Sequence, residues 1–199
     1  GETSIMADAN TQIFKKAPWL AKAIDVLDTL IAPGGNTTWT DKVLLPNETR
    51  AKTMTVTQSA FTNSLETILR PKLGPLANED IYKVCDIVDI IDDYWNAIKA
   101  NCSVPFEPRS ENHIPNDYAL QQTIGVSSLH LLLTMLLKDF QWVLARDQET
   151  RTRQFTELLA IDGIQNVDHW DRTIEMEEGV KGGRWTMMGT NQKTFRIVS

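Results

Sequence analysis

The chain has 199 residues, 42% of them hydrophobic and 23% charged, with a formal net charge of -6 and an isoelectric point near 5.1. That length supports one hydrophobic core without staples, and the composition excludes a disordered, collagenous or disulfide-held chain. The negative balance repels a phosphate backbone over the molecule as a whole, so any nucleic-acid contact has to come from a local basic patch.

The first predicted element is PWLAKAIDVLDTLI, with Pro18 at a first helical position, apolar residues at Leu20, Ile24, Leu27 and Ile31, and a stop at Pro33-Gly34-Gly35. The threonine-rich stretch that follows, with Pro46 and no sustained period, reads as a loop carrying one short strand. Thr57 then caps QSAFTNSLETILR, which Pro71 and Gly74-Pro75 close off. Asn78, with Glu79 and Asp80 in the first turn, is expected to cap a helix to about Ala100 whose stripe is Ile81, Val84, Val88, Ile91, Trp95 and Ile98.

After a proline-broken loop, Asn116 or Asp117 is expected to open the longest helix, running to about Arg146 and spanning roughly 45 Å as a central pillar. Gly125 and Ser128 lie on neighbouring turns of it, where small side chains would let another helix, of this chain or a second copy, approach closely. A further helix, QETRTRQFTELLAI, is expected to end at Asp162-Gly163, after which the pattern dissolves into loops with short extended pieces at RWTMM and KTFRIVS. The fold class expected is mainly α: a single helical domain over residues 1–162 with one long central helix, and an irregular, basic C-terminal tail over 163–199 packed on it.

Cys85 and Cys102 stand in different settings and form no CxxC pair, which points to a reducing compartment and a cytoplasmic location. The sequons at Asn36, Asn47 and Asn101 are read as chance matches in the absence of a secretory signal. The longest apolar run, Ile124 to Leu137, is too short and too polar to cross a bilayer of roughly 20 residues' helical thickness. No membrane partner is expected. The chain opens at Gly1 without an initiator methionine, so a preceding domain is expected as one candidate partner.

Four aspartates in DIVDIIDDYW, Asp86, Asp89, Asp92 and Asp93, are similar to the metal-binding runs of helical prenyl-transfer enzymes. At 100° per residue Asp86, Asp89 and Asp93 fall within about 60° of each other, opposite the apolar stripe, so a solvated face explains them. His130 interrupts an apolar face and reads as a hydrogen-bonded core histidine, while His113 and His169 lack partners at ligand spacing. Ser127 and Ser128 belong to no nucleophile elbow. No metal, cofactor or catalytic residue is assigned, and the reading leans away from an enzyme.

The remaining feature is HWDRTIEMEEGVKGGRW, residues 169–185, which ends in a glycine-rich basic turn. GVKGGR lacks the phosphate-loop arrangement and its strand-to-helix setting. From Gly179 onward, however, the chain carries Lys181, Arg184, Lys193 and Arg196 with Trp185 and Phe195 and no acidic residue, a composition that suits a phosphate backbone or a partner surface. The bland alternative is a surface turn followed by an edge strand.

Several segments together resemble the C-terminal helical half of the DGQHR-domain proteins, the family that includes the DndB-like proteins of DNA sulfur-modification clusters. They are ANTQ near residue 10, VTQSAFTNSLETIL from 56, DDYWNAI from 92, NDYALQQTIGVSSLHLLL from 116, and IDGIQNVDHWDR with the downstream GGR. The DGQHR signature of the family's N-terminal part does not occur in this chain, so no activity of that part carries over. The resemblance implies a bacterial, non-catalytic accessory or regulatory role in DNA modification or phage defence, through contact with DNA, with a missing N-terminal domain or with a homo-oligomer. By position Asn166, Trp170, Arg172, Gly183 and Arg184 match the closing segment, and Arg172 and Arg184 are its expected polar contacts. With Lys181, Lys193, Arg196, Trp170 and Trp185 they make the expected interface. A pure interaction or oligomerisation module is the alternative, and a metal-dependent helical enzyme a third.

Overall fold

The computed structural model describes residues 17–106, 115–141, 144, 147–177 and 180–183. The expected extended pieces at RWTMM and KTFRIVS, and Arg184, Trp185, Lys193 and Arg196, lie outside them, as do ANTQ and His113.

Helix α1 spans Pro18–Leu30, with proline in its first turn. It buries Ala23, Val26, Leu27 and Leu30, so the core-facing stripe shares only Leu27 with the one expected. Two short strands follow, β1 at Val43–Leu44 and β2 at Val56–Thr57, paired in parallel with Val43 opposite Val56. The single strand expected in the loop thus has a partner just beyond it.

Thr57 caps α2, Gln58–Ser64, by accepting the Ala60 amide at 3.2 Å, as its sequence position predicts. The expected continuous helix breaks at Leu65 and resumes as α3, Glu66–Leu69. The cause is local. The Ser64 hydroxyl donates to the Phe61 carbonyl at 2.5 Å, and the Leu65 amide turns to Thr62 O instead, tightening the turn.

Helix α4, Val84–Asn101, starts five residues later than the sequence predicts. Asn78 spends its side chain on the Asp80 amide at 3.0 Å in a separate turn, and Lys83 is extended, its amide donating to Asp86 Oδ2 at 2.8 Å. Ile81, expected on the buried stripe, is therefore outside the helix and 61% exposed. The helix lies between α1 and α6, Gln148–Leu158, and buries Ile87, Ile90, Tyr94 and Ala97 as well as Val88, Ile91, Trp95 and Ile98.

The expected 45 Å pillar is also shorter. Helix α5 is Thr123–Asp139, 17 residues or about 26 Å. Residues before it are drawn to the C-terminal segment: the Ala119 amide donates to Trp170 O at 2.7 Å, the Arg172 amide to Asp117 O at 2.8 Å, and Tyr118 bridges Asp171. Gln122 is extended, which breaks any helix arriving from Asn116. Gly125 does not face another helix. A Cβ there would lie 2.1 Å from Leu120 O and 2.4 Å from Ala119 O, so the glycine admits the chain's own incoming turn. Ser128 is buried too, which removes the proposed Gly125/Ser128 face from any contact with a second chain.

Asp147 caps α6 through the Thr150 amide at 2.9 Å. Asp162-Gly163 opens a short helix, α7 at Asp162–Gln165, rather than ending a long one. Strands β3, Glu175–Glu177, and β4, Val180–Lys181, then form an antiparallel hairpin. The core runs through the whole, with Trp39 edge-on to Phe61 at 4.8 Å and to Trp95 at 4.7 Å. No helix among the described residues is long and apolar enough to cross a membrane.

Candidate nucleic-acid interface

The aspartate run divides. Asp86 and Asp89 are exposed, as the helical wheel predicts, but Asp93 on the same face is fully buried. Its Oδ2 accepts from Arg151 Nε at 2.5 Å and from Nη2, and its Oδ1 from the Thr152 hydroxyl at 3.1 Å. The wheel fails at Asp93 because α6 covers that side of α4, a tertiary fact that no periodicity carries. Asp92 is half-buried; desolvation raises its pKa, against hydrogen bonds from the Thr38 amide and Asn96 that lower it. No group of three or more potential metal ligands forms among the described residues. Asp86, Asp89 and Arg151 line a cavity of about 470 Å³ with Tyr82 and Ile90.

His130 is a core residue, as expected. Trp95 Nε1 donates to its Nε2 at 3.0 Å, and because an indole N–H only donates, Nε2 is the acceptor and Nδ1 carries the proton. Nδ1 lies 2.7 Å from Ser64 Oγ, which passes its own hydrogen to Phe61 O. Burial lowers the ring's pKa to about 3, so it is neutral. Cys102 is buried and its thiol is pushed up to about 11 by desolvation, while Cys85 is exposed.

The closing segment is built from α7 onward. Asn166 accepts the Asp168 amide at 3.1 Å and caps the single 3-10 turn Val167–His169. Trp170, placed among the expected contact residues, is 1% exposed and donates Nε1–H to Ile164 O at 3.3 Å, so its ring belongs to the core rather than to a contact surface. Past the hairpin, Gly182 has φ 107 and its amide donates to Ile174 O at 2.7 Å. The Gly183 amide donates to Asp171 O at 2.5 Å, and a Cβ on Gly183 would sit 1.8 Å from Asp168 O. Of GVKGGR, the described residues 180–183 therefore turn a corner and seat the hairpin on the Val167–His169 turn. The amides of Gly182 and Gly183 are occupied by protein carbonyls and cannot cradle a phosphate. Lys181 ends β4, with its backbone paired to Glu175.

Arg172 is exposed, and its Nη1 donates to Asn116 O at 3.3 Å and to Gln122 Oε1 at 3.2 Å. It opens onto a cavity of about 480 Å³ that it shares with Arg50, Thr55, Asn116, Gln122 and Thr123. Arg50 comes from the loop between β1 and β2, is exposed, and makes one long contact, Nη1 to Met54 O at 3.4 Å. Neither guanidinium has a carboxylate partner among the described residues, and none of the described lining residues is acidic. Asn116 fixes the two walls together by donating Nδ2–H to Met54 O at 2.8 Å.

Of the expected interface, the structure thus places Arg172 at an open cationic cavity, Trp170 in the core and Lys181 at the end of the hairpin. Arg50 is not among the residues the sequence singles out. It lies in a loop of no periodic pattern, and nothing in the sequence signals that it lines the same cavity as Arg172, more than a hundred residues away. No family model, curated protein or solved structure matches this chain.

Proposed function

We propose that this chain is a non-catalytic helical accessory domain that contacts the phosphate backbone of DNA, in the DNA-modification or defence setting implied by the likeness of its closing segment to the DGQHR-domain proteins. The observation that carries the reading is the pairing of Arg50 and Arg172 at one cavity without a carboxylate between them, on a chain whose net charge is -6. Two exposed arginines that line one cavity, with no carboxylate partner among the described residues, form a local positive field of the kind a polyanion needs. Arg172 also belongs to the segment that carries the family resemblance, and Lys181 and Arg184 follow it along the chain.

Labelled duplex DNA titrated with the protein at low and at physiological salt tests this. Binding should weaken steeply with salt, and Arg172→Ala should lower the slope of log affinity against log salt by about 0.9 for each phosphate that the arginine neutralises. The Lys181→Ala, Arg184→Ala pair tests the tail in the same assay. An absence of duplex binding at low salt would sink the proposal.

A further inference from the structure

We infer that the cavity between Arg50 and Arg172 is a seat for a single phosphate group, a discrete pocket rather than a flat basic surface. The inference rests on the reading above for its source of phosphate, but on separate observations for its chemistry. Each guanidinium presents five N–H donors. Arg172 uses Nη1 on Asn116 O and Gln122 Oε1, and Arg50 uses Nη1 on Met54 O, so the remaining donors of both are without protein acceptors among the described residues. Guanidinium forks match the geometry of a phosphate's oxygens, and two of them at one cavity provide a charge of +2 against it.

The wall between the two arginines supplies further donors. Helix α5 begins there with no side-chain cap, because the Gln122 side chain, the natural candidate, accepts from Arg172 through Oε1 and donates Nε2–H to Asn116 O at 2.6 Å. Thr123 and Ile124, the first two residues of this 17-residue helix, line the cavity, and the exposed Thr123 hydroxyl has no partner among the described residues, while the first amides of any helix have no intrahelical acceptor. Arginine pairing and helix start reinforce each other, since both favour an anion at one place. A carboxylate would satisfy one fork, whereas a phosphate has oxygens for both arginines and the helix together. At about 480 Å³ the cavity also has room for the sugar or base attached to that phosphate.

The test is a titration of the ¹⁵N-labelled protein with inorganic phosphate, followed at the amides of Thr123, Ile124 and Gly125 and at the arginine Nε groups. Saturable shifts are expected in the wild type, with binding weakened roughly tenfold to a hundredfold in Arg50→Ala. Arg50 is exposed and makes one long contact, so its removal leaves the fold intact, and an unchanged circular dichroism spectrum confirms that. Arg172→Lys serves as a second variant that keeps the charge but loses the fork. No shift at millimolar phosphate, or equal shifts in Arg50→Ala, overturns the seat. If that happens while duplex DNA is still retained in a salt-dependent way, the DNA reading stands without it. If phosphate binds and duplex does not, the seat stands, the DNA reading falls, and the occupant is a small phosphorylated molecule.

Discussion

His130 accepts from Trp95 and donates to Ser64 at a fully buried position, and that makes one residue a sensor of acid. Its folded pKa, about 3, lies below the ordinary 6.5 of an unfolded histidine. Between those values the unfolded chain binds a proton that the folded chain refuses, so this stabilisation is complete above 6.5 and is lost as the pH falls towards 3. The expected slope is at most about 1.4 kcal/mol per pH unit, visible in urea midpoints taken between about pH 7 and about pH 5, before most carboxylates titrate. A His130→Gln variant should be less stable throughout and should lose that slope. Asp93 is a second fully buried polar residue, held by an ion pair. Asp93→Ala takes the buried carboxylate away from the Arg151 guanidinium, 10% exposed, and should cost about 3–5 kcal/mol in chemical unfolding, with Asp93→Ala, Arg151→Met recovering part of the loss.

At the scale of elements, Gly125 ties the start of α5 to the turn before it. Alanine would gain about 1 kcal/mol in helix propensity but would meet two carbonyl oxygens, so Gly125→Ala should destabilise by about 1–3 kcal/mol net in thermal or urea unfolding. A wild-type midpoint in that variant would show that the turn at Ala119 and Leu120 yields freely. The same element shows what the sequence can and cannot say. The apolar run of α5, the proline start of α1 and the Thr57 cap are all legible, because each is a local consequence of period or capping chemistry. The break at Gln122, the late start of α4 and the burial of Asp93 are not. For the break and the burial the cause is a partner distant in sequence: Trp170 and Arg172 for residues 117–119, and α6 for Asp93. The late start of α4 turns instead on a choice between two nearby caps, Asn78 and Lys83, that composition does not rank. The candidate site is half legible for the same reasons. Arg172 stands in a segment of distinctive composition, whereas Arg50 becomes a candidate only when the chain is folded.

For the molecule as a whole, mainly helical architecture around one hydrophobic core follows from composition and periodicity, and the structure has it. Charge is the property that only the fold distributes: a chain of net -6 places two arginines at one cavity with no carboxylate partner among the described residues. Salt should therefore weaken any polyanion complex by screening these two cations and by counterion release, whatever it does to the melting temperature of the free protein. A melting series in increasing salt, run beside the binding titration, separates the two effects.

The strap formed by residues 117–119 against 170–172 has a kinetic meaning as well. Two hydrogen bonds, which together make the Tyr118–Asp171 bridge, fasten the entrance of α5 to the segment before the hairpin, with Arg172 as one of the fasteners. Neither strand of that strap can peel away alone, so the amides of Ala119 and Arg172 should exchange with deuterium at matched rates, opening as one cooperative unit. Arg172 and the entrance of α5, which line the cavity together, would then be released and restored as one.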